Sequence, residues 1–443
     1  MSVPATTMLA ALTLVACLAL SHVGEAKVSQ DVLLSDWQLQ SSAVVGAGTT
    51  AGQTISALQY DASSWFNITA PATVLAGLVQ VGEVQAPFYS TNLANVSTSP
   101  FEVPWWYRTE FQVSASSMSR LTFKGTKSCV ESWNRYVLHS HMWLCIFTGL
   151  NYKANVWIDG ALVANASDTA GTFRYFDFDV SKLAASPAQH ALAVECFRPI
   201  DAAFPPGNND TDLAISFVDW APPPPDMNMG LWRETEVHSF PGPVSVRYPQ
   251  VATVLSGTPT PPGLTAVLGT PSAGVVAHVS VQVQLHNMGT TPFSAVITAT
   301  LCGVAAQLDV TLQPGEVSTV VLNNITSPSL NIANPRLWWP WQMGPATMET
   351  LSVVVSASDG STSDSLSASV GLREASSGLT PAGYRVYHVN RHPILIRAAG
   401  WAPDLFQRIT AQRQENEFAY DSPPPPPPHA HTLTSMRASA QST

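Results

Sequence analysis

Short runs of alternating apolar and polar residues, punctuated by Gly, Pro, Asn and Asp, recur along most of this chain and constrain its fold more than any other feature. A period of two turns one face of a strand toward a core and the other toward solvent, so such runs read as half-buried strands rather than helices. Between Val28 and about Pro241, Leu121–Lys124, Ala154–Ile158 and Ala191–Glu195 are of this kind. Asp159 and Gly160, placed between Trp157-Ile158 and Ala161-Leu162-Val163, supply the residue types that a two-residue hairpin turn requires. A second set begins near Pro243, with Val279–Leu285, Ala295–Leu301, Ser318–Leu322 and Leu351–Val355. Their intervals suit an immunoglobulin-like sandwich in architecture, without the disulfide and Trp spacing of antibody domains. Two β-sandwiches in series are therefore expected, and 443 residues give room for two or three domains.

Composition points the same way. Only 11% of the residues are charged, while 35 are Pro and 13 are Trp, which favours strands and turns over helices. A formal charge of −10 and the absence of any Lys/Arg cluster argue against nucleic acid or an anionic membrane surface as partner. Neutral ligands fit better.

Met8–Leu20 form a thirteen-residue apolar stretch, too short to span a bilayer, followed by small residues up to Gly24-Glu25-Ala26. Residues 1–26 are expected to be a secretory signal cleaved after Ala26, although the first ten residues carry no Lys or Arg. Five Asn-x-Ser/Thr sequons, at Asn67, Asn95, Asn165, Asn209 and Asn324, agree with a secreted protein. Outside the signal only Cys129, Cys145, Cys196 and Cys302 remain, with no Cys-x-x-Cys pair, so neither a disulfide framework nor a metal site is expected, nor any cofactor.

One segment breaks the rhythm. From Thr126 to Thr148 there is neither alternation nor turn punctuation. Its removal would join Leu121–Gly125 to Leu150–Trp157 across a connection of ordinary length, which suggests retained non-coding sequence inside one hairpin. His139 and His141 within it read as incidental rather than as metal ligands. Toward the other end, Tyr384–Pro403 reads as two short strands opening a further domain over 374–420. Residues 421–443, with six consecutive prolines from Pro423 to Pro428, read as a disordered tail.

Several segments carry a resemblance. Pro104–Phe111, Asn151–Gly160, Gly171–Val180, Phe217–Glu234 and Asn334–Pro340 resemble, in this order, glycoside hydrolase family 2, and within it the exo-β-D-glucosaminidase and β-mannosidase branch. The resemblance implies a jelly-roll, galactose-binding-like sandwich over 27–242, interrupted at 126–148, and an immunoglobulin-like sandwich over 243–373. It implies that 374–420 open an (α/β)8 barrel, the domain that carries both catalytic glutamates in this family. Retaining glycoside hydrolysis needs two carboxylates about 5 to 5.5 Å apart, and in a barrel they come from the ends of different strands. The chain as written is therefore expected to hold no catalytic residue. Asn416-Glu417 follows the first barrel strand within a helix-like run and reads as a solvated helix face.

What the resemblance leaves to this chain is the substrate side: Asp219, Trp220, Asp226 and Asn228 match the loop that leans toward the family's pocket. An aromatic face beside a carboxylate suits an amino sugar. The alternative for Asp219 is a turn cap, and for Trp220 and Trp232 the sandwich core. Trp338 and Trp339 are expected at the seam between the second sandwich and the barrel. Three functional readings follow: part of an exo-β-glycosidase acting on glucosamine or mannose ends, a lectin-like carbohydrate-binding protein, or a non-functional fragment.

Overall fold

In a computed structural model, residues 30–112, 118–123, 149–172, 174–181, 189–199, 223–263, 265–396 and 404–408 are described. The strands of the first part are β1 (Gln30–Leu34), β2 (Asp36–Ser41), β3 (Phe66–Thr69), β4 (Ala72–Thr73) and β5 (Trp105–Gln112). They continue as β6 (Met118–Phe123), β7 (Leu150–Asn151), β8 (Lys153–Ile158) and β9 (Ala161–Ala164). The last four are β10 (Phe176–Asp179), β11 (Gln189–Phe197), β12 (Gly230–Leu231) and β13 (Thr235–Phe240).

These strands build a sandwich of a four-stranded sheet, in the order β1-β13-β6-β10, and a six-stranded sheet, in the order β3-β2-β5-β11-β8-β9. A small third sheet, β4-β12-β7, ties in the loop before β13. Trp37, Leu39, Tyr107, Val156, Leu192 and Val237, at most 2% exposed, form the centre of the core between the layers. The Asp159-Gly160 turn joins β8 to β9 with φ of 49° and 80°, the left-handed pair that this turn requires.

The expected hairpin across 126–148 does not form. β6 pairs with β13 and β10 in one sheet, whereas β8 pairs with β11 and β9 in the other. The chain therefore crosses between layers here, and only non-local pairing decides it. Residues 126–148, with His139, His141, Cys129 and Cys145, lie outside the described residues, as do 1–26, Asn209 and the tail from Asp421.

The second sandwich packs β14 (Val244–Ser256), β15 (Val276–Asn287), β18 (Val317–Asn323) and β19 (Asn331–Ala333) against a sheet of β16 (Phe293–Leu301), β17 (Val304–Leu312), β20 (Glu349–Ala357) and β21 (Thr362–Val370). Strict alternation along β15 puts Ala277, Val279, Val281, Val283 and Leu285 inside, each wholly buried. A final antiparallel sheet joins β22 (Ala375–Leu379), β23 (Arg385–Val389) and β24 (His392–Ile394). Trp338 and Trp339 stand between the second sandwich and this sheet: Asn390 Nδ2 donates to the Trp338 carbonyl at 3.0 Å, and the Trp339 ring meets His392 at 5.7 Å. Of residues 404–408, Phe406 is wholly buried in the first sandwich's core, against Phe88.

Candidate functional site

The loop Pro224–Gly230 holds two of the expected residues, and its geometry assigns them different tasks. Asp226 is wholly buried. Its Oδ2 accepts from the Leu75 amide at 2.8 Å and its Oδ1 from the Asn228 amide at 2.9 Å. The carboxylate thus sits at the N-terminal turn of the helix Val74–Gln80, which Thr73 caps through its own Oγ1 on the Ala76 amide at 3.2 Å. Negative charge there satisfies otherwise orphaned N–H groups. Burial pushes the carboxyl up from 3.8 to about 6, and the backbone amides of Leu75 and Asn228 oppose that shift. Both oxygens are engaged by the chain itself, so Asp226 anchors this loop to the helix.

Asn228 stands otherwise. Met227 and Asn228 are consecutive left-handed residues, with φ of 52° and 56°. Asn151 straps their backbone, its Nδ2 donating to the carbonyls of Met227 at 3.0 Å and Asn228 at 2.8 Å, while its Oδ1 accepts from Thr172 Oγ1 at 2.7 Å. The side chain of Asn228 is wholly buried, yet neither Nδ2 nor Oδ1 has a hydrogen-bond partner. Leaving such a group unsatisfied costs roughly 1–3 kcal/mol. The strapped left-handed turn thus holds a buried amide whose donor pair and acceptor are unused, the groups that hydroxyls bind.

Beneath this turn, β12 leaves no room for error. Gly230 has φ +125°, and a Cβ there would lie 2.1 Å from the Tyr107 hydroxyl, which itself donates to the Ala72 carbonyl at 2.9 Å. Tyr107, wholly buried beside Cys196 and Asp226, has its phenol pushed well above 10, chiefly by burial. Met229 accepts from the Val74 amide at 2.8 Å.

Asp219 and Trp220 lie outside the described residues. Trp232 is 2% exposed and packs within the sandwich. Sequence reasoning missed Asn151, Thr172 and Tyr107: Asn151 opens one of the recognised segments, but nothing local reveals that its amide grips residues 76 and 77 positions away. Among the described residues, no group of three His, Cys, Asp or Glu side chains is placed to hold a metal ion. Of the sequons, Asn67, Asn95 and Asn165 are exposed, whereas Asn324 is half-buried with its Nδ2 on Asn331 Oδ1 at 3.2 Å.

Residues 37–233 match the family description "Glycosyl hydrolase 2 galactose-binding domain-like", and residues 271–373 match "Glycosyl hydrolases family 2". An exo-β-D-glucosaminidase of Streptomyces avermitilis is 30% identical over 388 residues, covering 87% of this chain and 37% of its own length. The mannosylglycoprotein endo-β-mannosidase of Lilium longiflorum is 24% identical, over 80% of this chain and 35% of its own. The Amycolatopsis orientalis exo-chitosanase, solved in complex with PNP-β-D-glucosamine, superimposes with a TM-score of 0.68 at 26% identity, covering 88% of this chain and 39% of that one. The chain thus spans well under half the length of these relatives.

Proposed function

Because this chain belongs to glycosyl hydrolase family 2 through both of its sandwich domains, we propose that it forms a sugar-facing, non-catalytic part of a secreted exo-β-D-glucosaminidase. The observation that carries this reading is the buried, unpartnered amide of Asn228, held in the galactose-binding-like domain on a strapped left-handed turn. An amide fixed in that way contributes orientation rather than chemistry: it holds a sugar hydroxyl so that the anomeric carbon meets carboxylates supplied elsewhere. Asp219 and Trp220, ten or fewer residues upstream, are proposed to complete the contact, with the carboxylate on the sugar's ammonium and the ring on its apolar face. Secretion is supported by the apolar stretch Met8–Leu20 and by the exposed sequons at Asn95 and Asn165.

β-Linked mannose is the second reading, favoured by the similarity to the lily enzyme. The purified 443-residue polypeptide, assayed with aryl β-D-glucosaminide and aryl β-D-mannoside, is expected to release no aryl alcohol. Release that follows the protein through successive fractions would overturn the non-catalytic assignment. In parallel, a calorimetric titration with glucosamine and with mannose separates the two sugars. Binding of glucosamine that weakens about tenfold in Asn228→Gly supports the reading, and binding of neither sugar sinks it.

A further inference from the structure

Away from the loop 224–230, the edge of the six-stranded sheet carries a cleft of about 620 Å³, within the range of ligand-holding pockets. Its floor follows from strand register. Asp36 stands opposite Thr69, and Gln38 opposite both Asn67 and Arg108, so their side chains share one face of the sheet. The segment Tyr60–Ser63 forms one wall, fastened by Gln38 Nε2 donating to the Ala62 carbonyl at 3.2 Å.

The groups in this cleft divide into those already used and those left free. Arg108, the only cation among the lining residues, is 3% exposed and donates to the carbonyls of Ile55 at 3.0 Å and Ala57 at 3.1 Å and to Glu110 Oε1 at 2.5 Å. Glu110 also accepts from Gln189 Nε2 at 2.6 Å. Asp36, Asn67 and Thr69 are exposed in the cleft, and Asp61 uses one oxygen on the Ser63 amide at 3.0 Å. The half-buried ring of Tyr60 is set edge-on to Trp65 at 5.7 Å, so its position is fixed by packing.

We propose that this cleft is a second saccharide site, taking a glucosamine unit of a β-linked amino-sugar chain. Two carboxylates with no cation of their own attract an ammonium, the amide and hydroxyl of Asn67 and Thr69 serve sugar hydroxyls, and the Tyr60 ring flanks the pyranose. The Asp36 and Asp61 pair sets the preference: an N-acetylated unit has no ammonium and loses that attraction. The proposal rests on the amino-sugar reading of the protein, and it assigns a holding role to residues that the loop at Asn228 does not include.

The test is a calorimetric titration of the full 443-residue chain, produced in bacteria, with the glucosamine trimer and with the N-acetylglucosamine trimer. The glucosamine trimer is expected to bind about tenfold more tightly, with an affinity that falls as salt is raised. The double variant Asp36→Asn/Asp61→Ala, both changes being at exposed positions, is expected to lose about tenfold in that affinity, while Asn228→Gly leaves the cleft's contribution in place. Undiminished binding by the double variant, equal binding of the two trimers, or no binding overturns the cleft. If binding survives the double variant but fails in Asn228→Gly, the cleft is refuted and the functional reading stands. Finding an N-glycan on Asn67 in chain made through a secretory route also overturns it, because that glycan fills the same space.

Discussion

Asp226 and Asn228 stand two residues apart and respond to opposite tests. Because burial raises the Asp226 carboxyl from 3.8 to about 6, the folded state holds its proton where the unfolded chain has released it. The stability linked to this group is then fully present below about pH 4 and is lost as pH rises through 6. Over that window wild type is expected to lose roughly 3 kcal/mol relative to Asp226→Asn, by 1.36 kcal/mol per unit. Chemical denaturation of both proteins at pH 4 and pH 7 measures the difference, and a constant gap between them would refute the assignment. Asn228→Gly removes an unpaired buried amide and relieves a left-handed φ, so its unfolding midpoint is expected to hold or rise while glucosamine affinity falls. A variant that loses both stability and binding would mean that the amide serves the fold.

The element most exposed to a single substitution is the helix Gly48–Ile55. It lies over Trp157 so closely that a Cβ on Gly52 would meet the indole at 2.3 Å. The helix is fixed at its start by the wholly buried Glu195, which accepts from the Gly48 amide at 2.7 Å and from Asn155 Nδ2 at 2.9 Å. Gly52→Ala is expected to cost about 3 kcal/mol, since neither the ring nor the helix can retreat; equilibrium urea unfolding measures it, and a cost under about 1 kcal/mol would show that the helix slides. This helix also illustrates what local sequence discloses. The β8–β9 turn was legible because Asp159-Gly160 encodes its own dihedrals, and β15 because its burial follows its alternation. The layer to which β6 belongs was not legible, nor was the anchoring role of Asp226, whose partner Leu75 lies 151 positions away. Such contacts exist only once both sheets are assembled.

At the scale of the molecule, the two sandwiches are joined by polar contacts that flank β14. Asp364, wholly buried on β21, accepts from His238 Nε2 on β13 at 2.9 Å and from the Val246 amide at 2.8 Å. Asp177 on β10 accepts from Arg247 at 2.6 Å and from the Tyr248 hydroxyl at 2.7 Å. The chain passes from Phe240 to Val244 through only three residues, and Gly242 donates to the Ser363 carbonyl at 2.9 Å. Asp364→Ala removes the carboxylate that accepts from His238 Nε2 and from the buried Val246 amide, at a cost of roughly 1–3 kcal/mol for a buried donor left without its acceptor. Scanning calorimetry is expected to show one transition for wild type and two for this variant, as the sandwiches melt separately. A single transition merely shifted downward would locate the coupling elsewhere.

The pairing of β1 with β13 sets how the first sandwich answers a pull. Gln30 lies opposite Ser239, one residue before β13 ends and the chain turns into β14. Tension between the amino-terminal side and the second sandwich therefore acts on the same end of that ladder and opens it one hydrogen bond at a time, like a zip. Strands loaded at opposite ends share the force among all their bonds; these do not, so the β1–β13 ladder is the place where the first sandwich yields, at low force.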